Sequence, residues 1–174
     1  MRAFKILIGF FFVMAMACAE GADTKSDTQT NKKKDLNRIT QKAIENFNYT
    51  DYALSAEAET AVSKWEKYQE LAIQINYLKQ GDLSFFNSER ELIMEFTEAF
   101  FDELPKDLNT NPISSRVTVV ITALLKLNDD LRLDNISLQN RLDSLKQVLV
   151  AFANLNFQIN KKLERDQFDK ISPE

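Results

Sequence analysis

Between Ile113 and Ser172 the chain contains neither glycine nor proline, and an apolar residue returns at every seventh position. Val117, Leu124, Leu131, Leu138, Leu145, Phe152 and Ile159 form one row. Four residues after each come Ile121, Asn128, Asn135, Leu142, Leu149, Asn156 and Leu163. Glycine and proline are the residues that interrupt helices, and a repeat averaging 3.5 residues keeps one seam of a helix turned toward its neighbour. The pattern predicts one continuous, supercoiled helix from Ile113 to about Arg165, roughly 80 Å long at ~1.5 Å per residue. Val120, Leu127, Val148 and Leu155 widen the stripe at both ends, while Asp134 and Arg141 stand in its middle. Broad apolar ends suit burial in a bundle. The narrower waist, Asn128, Leu131, Asn135, Leu138 and Leu142, reads as a seam for a partner helix, where buried asparagine fixes register at a cost in stability. Leu133 and Ile136 lie off that seam and argue for a break in NDDLRLDN; the sustained repeat argues against one, and continuity is the expectation.

Upstream, from Asp35 onward, the only breakers besides Pro173 are Gly81, Pro105 and Pro112, in segments rich in Leu, Glu, Lys, Gln and Ala. No stretch alternates with period two, so the class is all-α: a small helical bundle containing a helical hairpin and one long C-terminal helix. The first helix is predicted over 36–47, with Leu36, Ile39, Ala43 and Phe47 at helical spacing, stopping in NFNYTDY. A second starts near Ser55, with Glu57 and Glu59 in its positive first turn, buries Ala58, Ala61, Val62, Trp65, Tyr68, Ala72, Ile75 and Leu78, and stops at Gly81. A third lies between Asp82 and Leu104, ended by Pro105, and Ser88 with Glu91 makes a capping box if it starts late. Its inward stripe reads Phe86, Leu92, Ile93, Phe96, Ala99, Phe100 and Leu104. The short connection at Gly81 makes the second and third helices an antiparallel pair.

Composition removes several function classes. The chain has no histidine, the commonest general base and metal ligand near neutral pH. Ser-His-Asp and Cys-His nucleophiles, histidine-bearing zinc sites and the Glu-x-x-His di-iron bundle pattern are thereby excluded. One cysteine allows neither an internal disulfide nor a thiolate cluster. No cofactor is expected. Without Arg2 and Lys5 the charge balance moves from -4 to -6, which disfavours nucleic acid as a partner.

The N-terminus carries the clearest motif. Two basic residues, Arg2 and Lys5, precede an apolar run from Ile6 to Ala17, too short to span a bilayer and right for a signal peptide over 1–17. The run ends in Ala15-Met16-Ala17-Cys18, which resembles the lipobox of bacterial lipoproteins, although leucine is commonest in that class where Ala15 stands. The resemblance implies cleavage before Cys18, a diacylglycerol on its thiol, and a place in the bacterial cell envelope at the outer membrane or cell surface. The same three residues also satisfy the Ala-x-Ala rule of ordinary secretory cleavage. Ala19 to Asp35 has no large apolar side chain and reads as a tether following the lipidated cysteine over 18–35. It would hold a domain over 36–168 on the order of 20 to 25 Å from the anchor, with a short tail over 169–174.

Two further constellations stand out. Glu91, Glu95, Glu98 and Asp102 form an acidic ridge at helical spacing, which is usually a solvated face and otherwise a divalent-cation or carboxylate-pair site. Phe85-Phe86 and Phe100-Phe101 are adjacent pairs that cannot all point inward, so Phe85 and Phe101 are candidates to line a groove for a lipid or other apolar ligand. The leading expectation is a membrane-anchored, non-enzymatic interaction or scaffolding protein whose long helix self-associates or binds a protein partner. A carrier of an apolar ligand and a carboxylate-based metal-binding protein or enzyme are the alternatives.

Overall fold

Thr40 sets the first helix. Its backbone is extended and its side chain accepts the Ala43 amide, so α1 spans only Gln41–Glu45 and ends where Asn46 leaves the helix. This is shorter than the sequence pattern suggests; Ile39 and Ile44, rather than Ala43 and Phe47, are its buried anchors. The computed structural model describes residues 38–171. The signal peptide, Cys18, the tether and residues 172–174 lie outside the described residues.

Ser55 caps the next helix as expected, its hydroxyl accepting the Ala58 amide. The single helix expected from there to Gly81 is two: α2, Ala56–Val62, and α3, Glu66–Lys79. The bend seats Trp65. Its ring is fully buried, stacks on Phe100 with centroids 4.8 Å apart, and donates its indole N–H to the Phe100 carbonyl at 2.9 Å. A buried indole needs that acceptor, and the backbone at Trp65 departs from helical angles to reach it. Gly81 then closes α3 with φ +88; its amide reaches the Leu78 carbonyl and the Asp82 amide the Tyr77 carbonyl. That pair of bonds is the Schellman arrangement, which favours glycine at the left-handed position.

α4 spans Arg90–Asp102 and returns antiparallel to α3, bringing Phe100 near its C-terminal end onto Trp65 at the start of α3. The expected capping box is absent: Glu89 precedes the helix without a side-chain cap, and Ser88 instead presents its carbonyl to Asn128 and Arg132. Leu92, read as inward, is 57% exposed, and Thr97 occupies the inner face with its hydroxyl turned back onto the Met94 carbonyl. Pro105 ends this unit and a 3-10 turn, Lys106–Leu108, buries Leu108.

The continuous C-terminal helix is the main correction. The chain folds back on itself: α5 spans Asn111–Arg132 and α6 spans Leu138–Ile171, joined by 133–137. Leu133 is extended, and the Arg141 guanidinium donates to the carbonyls of Asp130 and Leu133, satisfying the end of α5. Ser137 opens α6 by accepting the Asn140 amide on its hydroxyl. The two helices lie antiparallel, so the two halves of the heptad row face each other within one chain, as in an antiparallel helical pair. Helical backbone continues to Ile171, past the tail boundary read from the sequence.

The result is an all-α bundle with no strand among the described residues. The α5–α6 pair is its spine. α4 packs along α5, α2 along α6, and α1 touches α3 and α6. Trp65, Tyr68, Leu71, Phe86, Phe100, Leu124, Leu127, Leu145, Val148 and Phe152 belong to one continuous core between these elements.

Candidate functional site

The proposed partner seam is largely internal. Asn128 is fully buried, and its amide donates to the carbonyls of Phe86 and Ser88 at 2.9 Å each, holding the turns that lead into α4. Its own Oδ1 is buried without a partner. Leu131, Leu138 and Leu142 are half-buried against the core of the same chain, and Asn135 is exposed in the turn between α5 and α6. These five residues sit on two helices and the turn joining them. They do not make one straight strip.

Asparagine has a common task elsewhere on the spine. Asn156 donates to the Tyr52 carbonyl at 2.9 Å and accepts the Tyr68 hydroxyl at 2.7 Å. Asn160 donates to the Ala53 carbonyl and accepts the Ser55 amide. An amide side chain offers a donor and an acceptor together, which suits a backbone segment outside regular structure. Through these bonds, and the Lys79–Asp51 ion pair, α6 and α3 hold the strap 46–55.

Beneath that strap lies an open cleft of about 440 Å3 whose lining includes Asp51, Glu59, Gln69, Asn76 and Lys79 at its polar positions and Leu54, Val62 and Ile75 at its apolar ones. Burial, with the charge of Glu59 adding to it, pushes the Tyr68 phenol well above its ordinary range. The phenol is thus neutral and serves as a hydrogen-bond donor to Asn156 rather than as a base.

A second polar cluster joins α5 to α6. Lys126 Nζ lies 2.6 Å from Asp130 and 3.0 Å from Ser144 Oγ, and Ser144 hydrogen-bonds the same carboxylate. A serine beside a lysine can act as a nucleophile when the lysine is neutral and the hydroxyl is accessible. Here Asp130 pairs with the ammonium and Ser144 is 1% exposed, so the cluster works as a clamp. Burial opposes the Asp130 charge, but hydrogen bonds from Lys126 and Ser144 and the nearby charges of Lys126 and Arg141 outweigh it and hold the carboxyl below its usual value.

The acidic ridge of Glu91, Glu95, Glu98 and Asp102 is exposed along α4, with Met94 and Phe101 exposed beside it. Among the described residues no group of three or more acidic or sulfur side chains is arranged to hold a metal ion. Phe85 lies edge-on to Phe86 and to Phe96 at 5.0 Å, and Phe96 stacks on Phe100, so Phe85 is packed into the core cluster. Phe101 alone of the two candidates is open, at 42%.

The sequence reading missed a groove. On the outer face of the α5–α6 pair an open trough of about 610 Å3 runs over the nearly buried Ala123 and Ala151, edged by Thr118, Val119, Thr122 and Val150. Lys126, Lys146 and Asp143 stand at the end nearer the hairpin turn. Thr118 and Thr122 count as polar in a sequence, yet each donates its hydroxyl to the carbonyl four residues back, at 3.1 and 2.8 Å. With the hydroxyls engaged, these side chains offer mainly apolar surface. The legible signal was Val119 and Val150, which fall outside the heptad rows and on the outer faces of their helices.

Comparison with protein-family models, with curated protein sequences and with solved structures finds no match for this chain.

Proposed function

We propose that this chain is a membrane-anchored, non-enzymatic interaction module of a bacterial cell envelope, tethered by lipid on Cys18 and docking a protein through the outer groove of α5 and α6. The groove is the observation that carries the reading. It is a largely apolar trough whose end nearer the turn carries Lys126, Lys146 and Asp143, built on the two longest helices, and the clamp of Lys126, Asp130, Ser144 and Arg141 fixes the turn that joins them. A binding surface on regular, well-packed helices holds its shape better than one on loops. Val119 is 47% exposed there, an apolar side chain available to a partner.

The lipobox resemblance supplies the anchor. A single acyl chain binds a membrane marginally and each additional buried CH2 adds about 0.8 kcal/mol, so a multiply acylated cysteine holds firmly. No described helix is long and apolar enough to cross a membrane.

Two measurements test the two halves. A photoreactive residue at Val119 or Val150 of the full chain, in cells, is expected to give covalent protein adducts that the same residue at Ile73 on α3 does not. Equal labelling at all three positions, or none, removes the groove reading. Cys18→Ser is expected to release the protein from membranes and abolish radiolabelled palmitate incorporation; a variant that stays bound and labelled removes the anchor.

A further inference from the structure

We infer that the cleft beneath the strap 46–55 is a binding site for a small organic cation, an ammonium group on a body that is part apolar and part hydrogen-bonding. The cleft shares no residue with the outer groove of α5 and α6, so the two sites stand or fall separately.

Charge selects the sign of the ligand. The charged side chains lining the cleft are Asp51, Glu59 and Lys79. Lys79 Nζ lies 2.6 Å from Asp51 and offsets it, whereas Glu59, on α2, forms no ion pair among the described residues. Burial, and then the Glu59 charge, raise the Tyr68 phenol, which is therefore neutral and close to that carboxylate. The lining is left with one negative charge.

The wall beside Glu59 is fixed, and its hydrogen-bonding capacity is not used up. Tyr68 and Asn156 are 3% and 7% exposed, and the Tyr68 ring packs on Trp65 and Phe152 with centroids 5.3 and 5.4 Å away. The Tyr68 hydroxyl donates to Asn156 Oδ1, which leaves the phenol oxygen as an acceptor. Asn156 and Gln69 each commit one N–H, to the carbonyls of Tyr52 and Val62, and keep a second. Leu54, Val62, Ile75 and Phe152 supply the apolar wall. At about 440 Å3 the open cleft falls in the size range of small-ligand sites. An ammonium paired with a partly exposed carboxylate binds weakly on its own. The apolar wall and the hydrogen bonds therefore provide the affinity, and Glu59 decides which ligand is accepted. Leu54 belongs to the strap and Ile75 to α3, so an occupant touching both ties the strap to the bundle.

Hydrogen exchange of the full chain tests it, with tyramine as the probe and tyrosol, in which a hydroxyl replaces the ammonium, as the neutral control. Millimolar tyramine is expected to slow the amides of the strap several-fold and to leave those within α5 and α6 unchanged, with tyrosol at the same concentration having much less effect. Glu59→Gln is expected to abolish the tyramine effect, while Glu57→Gln, on the same turn of α2 but outside the cleft, retains it. Strap exchange in each variant without probe shows whether the strap itself is intact, and Glu59→Asp, which keeps the charge, is expected to retain part of the protection. No slowing by tyramine, equal slowing by tyrosol, full protection in Glu59→Gln, or uniform slowing of every segment would each overturn the inference.

Discussion

At the scale of single residues, buried polar side chains hold irregular backbone in place. Asn128 supplies donors to two carbonyls that no helix satisfies, those of Phe86 and Ser88. Replacing it by leucine keeps the volume and removes its unpartnered Oδ1, but leaves the Phe86 carbonyl without its donor and the Ser88 carbonyl with Arg132 alone. A buried polar group left unsatisfied costs about 1–3 kcal/mol. Asn128→Leu is therefore expected to destabilise by about 2 kcal/mol in urea unfolding, with Asn135→Ala, in the exposed turn, within about 0.5 kcal/mol of the parent. Equal effects at the two asparagines would contradict the division between an internal and an exposed residue.

Asp130 gives the pH dependence that belongs to this scale. Its carboxyl is held below its unfolded value, so in the acid range the unfolded chain takes up the proton first. The clamp's contribution is then complete above about pH 4 and is lost as pH falls through the lower, folded value. Unfolding measured from pH 7 to pH 2 should show Asp130→Asn less stable than the parent at neutral pH, with a shallower fall below pH 4. An unchanged slope would mean that the carboxylate contributes nothing to the acid response.

At the scale of elements, the turn at Gly81 is the sharpest determinant. Its φ of +88 is strained for any residue with a side chain, and a Cβ there would approach the Gln41 amide nitrogen to 3.2 Å. Left-handed backbone costs a non-glycine residue roughly 1–2 kcal/mol. Gly81→Ala is expected to lose at least that, read as a lowered denaturation midpoint with unchanged m-value; an alanine variant as stable as the parent would show that α1 and the turn relax freely. That stop was legible in the sequence because glycine has one strong meaning after a helical run. The cap at Ser55 was legible for the same kind of reason. The fold-back between α5 and α6 was not, because Leu131 and Leu138 on either side of the turn keep the seven-residue spacing by coincidence of register. Two helices burying stripes against each other give the same row as one helix burying a stripe against a partner. The signals that discriminate them were local: Asp134 and Asn135 as turn formers, Ser137 as a cap, and Leu133 off the seam. At Trp65 the reading failed for another reason, since helical periodicity runs through the bend while the indole's acceptor lies on α4. The candidate groove was hidden because threonine hydroxyls bonded back to their own helix leave surface that a polarity scale does not register.

At the scale of the whole molecule, attachment to the spine is unequal. α5 and α6 bury long apolar rows against each other, whereas α1 is short and the strap 46–55 is tied by side-chain bonds, Asn156 to Tyr52, Asn160 to Ala53 and Ser55, and Lys79 to Asp51, together with Phe47, Tyr49 and Leu54, which are only partly buried against the core. Segments with few buried apolar contacts open below the global unfolding free energy. Hydrogen exchange should therefore rank the amides, with those around Leu124, Leu127, Val148 and Phe152 slowest and those of the strap and α1 among the fastest. Asn160→Ala removes the acceptor of the Ser55 amide and the donor to the Ala53 carbonyl while leaving the core rows untouched. It is expected to speed exchange in the strap by about tenfold, the equivalent of ~1.4 kcal/mol of local stability, and to leave protection within α5 and α6 nearly unchanged. If protection falls equally throughout, the strap unfolds only with the whole bundle, and the cleft beneath it cannot open as a separate event.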